Sequence, residues 1–131
     1  MTMTATLDVV VVDDVPELRE LLRLGLEELP GVRVVGEAGD GVHALEAVER
    51  LRPAAVLLDL SMPRMDGLEA IPLIRALAPR IAIVVVSGFA AERMERQAID
   101  RGADRYLVKG VPLTEIRRAV VECVAARREA A

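Results

Sequence analysis

The residues of this chain best placed to do chemistry are the carboxylates that end two apolar runs. Asp59 closes the run Ala-Ala-Val-Leu-Leu, and Asp13 and Asp14 close a run of four valines. Runs this apolar are typical of strands buried on both faces, so a charge at their ends must lie where the sheet meets water. If both runs are parallel strands of one sheet, the three carboxylates converge on a single crevice.

Such a crevice predicts a cation and a phosphoryl group as its occupants. Three packed carboxylates repel one another, and they need a cation or a shared proton to coexist. Oxygen ligands without histidine or cysteine favour a hard ion, and so few carboxylates suit Mg²⁺ that keeps several waters. Ser87 and Lys109 end two further apolar runs, and their hydroxyl and ammonium groups would complete a cage for phosphoryl oxygens. The set predicts phosphoryl transfer to a carboxylate, with Asp59 as the nucleophile.

Short apolar runs alternate with amphipathic stretches and supply the strands and helices that must position these residues. The apolar runs span 7–12, 32–36, 54–59, 81–87 and 105–109, and clear amphipathic stretches span 16–29, 41–52 and 113–127. Because the first, third and fourth runs are the most apolar, we expect them at the centre. The pattern predicts an α/β, flavodoxin-like fold: a doubly wound five-stranded parallel sheet of order 2-1-3-4-5, with five helices on two faces. Its binding crevice lies at the ends of strands one and three.

Local signals predict how individual helices begin and bend. Asp14 followed by Val15 and Pro16 indicates the start of the first helix, and Asp66 with a glutamate three residues later indicates a cap on the third. Pro72 lies several residues into the third helix, so it should free a backbone carbonyl or kink the helix. His43 is expected on the solvated side of the second helix.

Composition bounds the class of protein. The 131 residues suit one domain, and 53% hydrophobic with 29% charged residues is typical of a globular chain. A net charge of -4 argues against nucleic acid or an anionic membrane as the main partner. No apolar run is long enough to span a bilayer, and the first residues resemble no export signal. Cys123 is the single cysteine and is expected to be buried, so we expect a cytoplasmic protein without disulfides.

Four segments of the sequence resemble the receiver domain of two-component response regulators, in order and over essentially the whole chain. They are Val-Asp-Asp (12–14), Leu-Leu-Asp-Leu-Ser-Met-Pro-Arg-Met-Asp-Gly (57–67), Val-Ser-Gly (86–88) and Gly-Ala-Asp-Arg-Tyr-Leu-Val-Lys (102–109). The resemblance implies a single receiver domain over 1–131, with no output domain within this chain. The segment 111–116 resembles the subclass whose outputs are helix-turn-helix DNA-binding domains.

The resemblance also implies a function. A histidine kinase or phosphotransfer protein would pass phosphate to Asp59, with Mg²⁺ as the required cofactor. The ion would be held by Asp14, Asp59, the backbone carbonyl of Ser61 and, through water, Asp13. Such a protein is a signalling switch that catalyses only its own phosphorylation and dephosphorylation, and it is not a turnover enzyme. DNA would be contacted only through a separate output domain.

Further residues take their expected roles from the same resemblance. Ser87 and Lys109 would bind the phosphoryl oxygens, and Ser87 with Tyr106 would switch the face formed by helix 4, strand 5 and helix 5. Ser61 and Phe89 match the positions that tune how fast the acyl phosphate is lost. The sequence leaves open whether the chain forms a homodimer. Helix 4 has a thin apolar stripe (Ala91, Met94, Ala98), which would allow that helix to rearrange.

Three other functions compete with the signalling switch. A metal-dependent phosphohydrolase with an aspartate nucleophile usually has a second aspartate two residues later, where this chain has Ser61, and it needs room for a substrate cap. A pseudo-receiver that works only as a docking module is disfavoured by the complete acidic set. A flavin-binding function is the weakest, because no serine- or threonine-rich phosphate loop follows the first strand.

Overall fold

Strands and helices alternate along the chain in a computed structural model that describes residues 6–88 and 92–130. The strands are β1 (Leu7–Val12), β2 (Val32–Ala38), β3 (Ala55–Leu58), β4 (Ala82–Ser87) and β5 (Arg105–Val108). The helices are α1 (Pro16–Glu27), α2 (Gly41–Leu51), α3 (Gly67–Leu77), α4 (Glu92–Arg101) and α5 (Leu113–Glu129). In the described part of the chain, no helix is both long and apolar enough to cross a membrane.

The five strands form one parallel sheet in the order β2-β1-β3-β4-β5. This confirms the predicted doubly wound α/β fold and places the three most apolar runs at the centre. Val12 at the end of β1 pairs with Leu58 at the end of β3, and the Asp59 N–H donates to the Val12 carbonyl at 2.9 Å. The residues that follow these two strands therefore lie side by side.

Alternate side chains of the central strands enter two separate cores, which explains why these strands are apolar at nearly every position. Val9 and Val11 point to a core closed by α1 and α5, where Cys123 is buried as expected. Val10 and Val12 point to the opposite core, which α2, α3 and α4 close. Both faces of the sheet are thus covered, and only its edges and strand ends meet solvent.

Pro72 is accommodated inside α3, and the carbonyl that it frees is satisfied from another helix. A proline has no N–H, so the carbonyl of Leu68, four residues earlier, loses its usual helical donor. The guanidinium of Arg101, at the end of α4, donates to this carbonyl at 3.2 Å. Of the two predicted consequences of the proline, the freed carbonyl is confirmed.

The starts of α1 and α3 both agree with the signals in the sequence. Asp66 caps α3 as predicted, because its side chain accepts the Glu69 N–H at 2.9 Å. Val15 is the cap residue, with its N–H donated to the Asp13 side chain at 2.9 Å, and α1 begins at the next residue, as the signal Asp14-Val15-Pro16 predicts. Pro16 is the cause, since its fixed backbone angle makes it the first helical residue.

The two faces of α3 provide a matched test of the core. Ile71 is fully buried and Leu73 is 45% exposed. Replacing Ile71 by alanine is expected to lower the free energy of unfolding by about 2–5 kcal/mol, because it leaves a cavity in a packed core. Leu73→Ala should change it by only about 0.5 kcal/mol. Urea unfolding followed by circular dichroism measures both, and equal losses would contradict the burial of this face.

Candidate functional site

Three carboxylates meet at the carboxyl ends of β1 and β3. Asp13 and Asp59 are buried, at 2% and 4% exposure, while Asp14 is exposed. One oxygen from each of the three lies within 4.8 Å of the others. This geometry follows from the strand pairing, because Asp13 and Asp59 directly follow the paired residues Val12 and Leu58. The predicted convergence of the three aspartates is therefore present.

Lys109 brings a positive charge to this cluster from the end of β5. Its ammonium lies 2.9 Å from Asp13 Oδ2 and 3.6 Å from Asp59 Oδ1. The Lys109 N–H donates to the Ser87 carbonyl at 2.7 Å, so the backbone pairing between β4 and β5 fixes where this side chain begins. Burial disfavours the charged form, but the hydrogen bond to Asp13 and the charge of Asp59 outweigh it and raise the pKa of Lys109.

The negative charge of the site exceeds its positive charge. Burial and the neighbouring Asp13 raise the pKa of Asp59, and Lys109 only partly opposes them. Because three carboxylates face one ammonium, the cluster gains from a further cation. All-oxygen ligands on a partly open crevice fit Mg²⁺, which prefers a few carboxylates and keeps several waters. The site thus has the donor set that the sequence predicts for this ion.

The other predicted site residues lie around this cluster. Ser87 is buried at the end of β4, and Tyr106 is half-buried in β5 on the side of the sheet that α4 covers. Ser61 is exposed in the loop after β3, with its N–H 3.5 Å from Asp59 Oδ1. Phe89 lies outside the described residues.

The apolar stripe of α4 faces the core. Ala98 is fully buried and Met94 packs beside it, whereas Ala91 lies outside the described residues.

Two supports of the site were not identified from the sequence. Arg19 of α1 donates to the backbone carbonyl of Asp13 at 2.6 Å, and its guanidinium lies 3.4 Å from Glu37. Gly67, the first residue of α3, donates its N–H to the Leu60 carbonyl at 2.9 Å, and a Cβ there would overlap the Asp59 backbone. The glycine could have been suspected from its place after the Asp66 cap. Nothing in the sequence separates Arg19 from Arg23, the other arginine of its helix.

The sequence of this chain is similar to sequences of known proteins. Residues 9–121 match the response regulator receiver domain. The nitrate/nitrite response regulator protein NarL of Escherichia coli (strain K12) is 35% identical over 119 residues, which are 89% of this chain and 54% of that protein. Protein-glutamate methylesterase/protein-glutamine glutaminase 3 of Hahella chejuensis is 46% identical over 83 residues, 63% of this chain and 24% of that protein. The chain thus spans about half of the first relative and a quarter of the second.

A solved structure agrees with these sequence matches. The two-component response regulator of the LuxR family from Aurantimonas sp. SI85-9A1 superimposes with a TM-score of 0.88 at 30% identity, covering 94% of this chain and 88% of that one. The match to the receiver domain extends over most of the chain and includes the acidic cluster, Ser87 and Lys109. This chain belongs to the family of response regulator receiver domains.

Proposed function

We propose that this receiver domain is a phosphoacceptor switch in which Asp59 takes a phosphoryl group from a phosphohistidine, in a reaction that requires Mg²⁺. The donor is a histidine kinase or a phosphotransfer protein, the partners with which receiver domains interact. The observation that carries the proposal is the excess negative charge around Asp59. The buried Asp13 and Asp59 share the Lys109 ammonium and the exposed Asp14 adds a third negative charge, and such a site binds a cation together with an anionic group that bridges to Lys109.

The transfer itself is a displacement at phosphorus. A carboxylate oxygen of Asp59 forms a new P–O bond while the P–N bond of the phosphohistidine breaks, and the electron pair of that bond returns to the imidazole nitrogen. Burial makes the Asp59 carboxylate more basic, which favours nucleophilic attack. Lys109 lies 3.6 Å from Asp59 and would neutralise charge on the transferred oxygens, with the Ser87 hydroxyl as a second donor.

The metal would be held by the oxygens of the same crevice. Asp14, Asp59 and the backbone carbonyl of Ser61 would ligate Mg²⁺ directly, and Asp13 would act through water. When bound, the ion supplies positive charge to a phosphoryl oxygen and cancels the repulsion among the carboxylates. We assign Ser61 and Phe89 to tuning the lifetime of the acyl phosphate.

Phosphorylation would be read out on the face formed by α4, β5 and α5. Ser87 and Tyr106 lie on neighbouring strands, where Val85 pairs with Tyr106 and Ser87 pairs with Val108. Movement of the Ser87 hydroxyl toward the phosphoryl group would make room for the Tyr106 ring to turn inward. The domain, which we assign to 1–131, would thereby control a partner or a separate output domain rather than turn over a substrate. A cytoplasmic location fits its single, buried cysteine.

The first experiment is phosphorylation by acetyl phosphate with Mg²⁺, followed by intact-protein mass spectrometry. We expect one phosphoryl group on the natural chain and none on Asp59→Asn. Asp66→Asn is the matched control, because asparagine retains the capping hydrogen bond of α3, and it should accept phosphate normally. Absence of phosphorylation on the natural chain would support the docking-module alternative. Rapid multiple turnover of a phosphate ester would support the phosphohydrolase instead.

A second experiment tests Lys109, the only lysine among the 17 lysine and arginine residues of the chain. Lys109→Ala should slow phosphorylation by about 100-fold, the usual effect of removing one donor that stabilises developing charge. Lys109→Arg should recover only part of the rate, because a planar guanidinium replaces a compact ammonium. Arg105→Ala is the control, since Arg105 begins the strand that Lys109 follows but pairs with Glu122 instead. A normal rate for Lys109→Ala, measured from mass-spectrometric time courses, would exclude this role.

The raised pKa of Asp59 predicts how stability depends on pH. The folded state favours the protonated form, so this stabilising contribution is present below the unfolded pKa, about 4, and is lost as pH rises through the folded pKa. Without Mg²⁺, Asp59→Asn should therefore be more stable than the natural chain at pH 7, and the difference should shrink below about pH 4. Urea unfolding at the two pH values measures it. A less stable Asp59→Asn at pH 7 would contradict the charge excess.

A further inference from the structure

One more buried carboxylate lies close in the fold to the acidic cluster, at the start of α2. Asp40 is fully buried, and it caps the helix by accepting the His43 N–H at 2.8 Å. The His43 ring nitrogen Nδ1 lies 2.9 and 3.0 Å from its two oxygens, although the ring is 59% exposed. The Arg64 guanidinium contacts Asp40 Oδ2 through Nε at 2.7 Å and Nη2 at 2.5 Å. Asp40 thus binds side chains from two different segments.

The electrostatics of Asp40 differ from those of Asp59. The backbone hydrogen bond from His43 outweighs the cost of burial and, with Arg64, holds the pKa of Asp40 well below its usual range. Asp40 is therefore a permanent anion whose charge is balanced by its own partners. It needs no metal to balance its charge. Its role depends on the loop that carries Arg64.

Arg64 belongs to the loop between β3 and α3, residues 59–66, which begins with Asp59 and includes Ser61. Arg64 has a φ of 63°, a left-handed conformation that residues with a Cβ adopt only when their surroundings hold them there. The next residue, Met65, accepts the Gly41 N–H at 2.9 Å, and a Cβ on Gly41 would lie 2.8 Å from that oxygen. The contacts of Arg64 and Met65 therefore hold this loop against the first residues of α2.

These contacts matter because the direction of the Ser61 backbone carbonyl depends on the conformation of its loop. The two ends of the loop are fixed, since Asp59 donates to Val12 and Gly67 donates to Leu60, each at 2.9 Å. Ser61 lies between them and is exposed, and within the described part of the chain its N–H makes a long contact of 3.5 Å to Asp59 Oδ1. The next contacts along the chain that hold the loop are those of Arg64 and Met65 with the start of α2.

We propose that Asp40 and Arg64 are positioning residues of the metal site, whose ion pair locks the β3–α3 loop onto α2 and thereby sets the affinity for Mg²⁺. The inference rests on the proposed function, in which the Ser61 carbonyl and Asp59 are ligands. Groups that orient metal ligands without touching the metal commonly change metal affinity by tenfold or more when they are removed. Here the ion pair between Asp40 and Arg64 would orient a backbone ligand, the Ser61 carbonyl, rather than a side-chain ligand.

The alternative is that Asp40 simply caps α2 and that Arg64 only covers it. Suitable variants separate the two. Asp40→Asn keeps a good capping acceptor but loses the charge that binds Arg64. Arg64→Gly removes the guanidinium without straining the left-handed backbone, and Asp40→Asn, which leaves the loop sequence unchanged, separates loss of the ion pair from the extra backbone freedom of a glycine. Arg52→Gly is the matched control, because Arg52 is also left-handed, with a φ of 48°, and caps the opposite end of the same helix.

The experiment titrates the full chain with Mg²⁺ at pH 7 by calorimetry and by amide chemical shifts, and measures urea unfolding separately without the ion. We expect Arg64→Gly to raise the Kd for Mg²⁺ about tenfold and Arg52→Gly to leave it unchanged. Arg64→Lys should recover part of the affinity, since it keeps the charge but not the two-point contact. Asp40→Asn should resemble Arg64→Gly, and the double variant should be no worse than either, because both remove one contact.

The outcomes distinguish this inference from the function on which it rests. An Mg²⁺ affinity of Arg64→Gly within twofold of the natural chain overturns it, as does an equal loss in Arg52→Gly. If the natural chain binds Mg²⁺ and is phosphorylated in those cases, only the positioning role is rejected. Failure of the natural chain to bind Mg²⁺ at all rejects the positioning role and the proposed function together.

Discussion

The pairing of β1 with β3 is the constraint from which the rest of the site follows. Val12 and Leu58 are partners in the sheet, so the residues after them, Asp13 and Asp59, are held together in a buried position despite their like charges. The burial of two apolar cores against these strands supplies the stability that opposes this repulsion. The carboxylates cannot separate without breaking the centre of the sheet, and they therefore relax only by binding cations or protons.

The presence of a lysine rather than an arginine at position 109 also has a physical reason. Arginine makes most of the ion pairs elsewhere in the described chain, including the two-point contact of Arg33 with Asp8. Lys109, the sole lysine, contacts two different carboxylates at 2.9 and 3.6 Å. A compact ammonium on a flexible stem can lie between two buried anions in little space, whereas a guanidinium is a larger planar group whose N–H donors point in fixed directions.

Periodicity and the residues at strand ends were sufficient to predict the sheet, its strand order and the convergence of Asp13, Asp14 and Asp59. Contacts between distant segments were not predictable in the same way. Arg64 reaches Asp40 across 24 positions, and Arg101 reaches the carbonyl freed by Pro72 across 33. In the sequence these arginines look like any other solvated charge. The start of α1 was predictable because its signal, Pro16 after Asp14 and Val15, is local.

The amino ends of the strands show that the fold does not by itself require the charge excess at the carboxyl ends. Asp104 precedes β5 at the amino ends of the strands, and its side chain is 16% exposed. There Arg75 and Arg127 contact its two oxygens at 2.9 and 2.7 Å, and the Ile83 N–H donates to it at 2.8 Å. This acid is fully paired, so no ligand is needed to balance it. Because the same sheet balances the charge of an acid completely at the amino ends of its strands, the excess negative charge at the carboxyl ends is not an unavoidable consequence of the architecture. Binding of a cation and a phosphoryl group, as proposed, would change the balance of forces at the carboxyl ends of β1, β3, β4 and β5, while the contacts of Asp104 would continue to hold the amino ends.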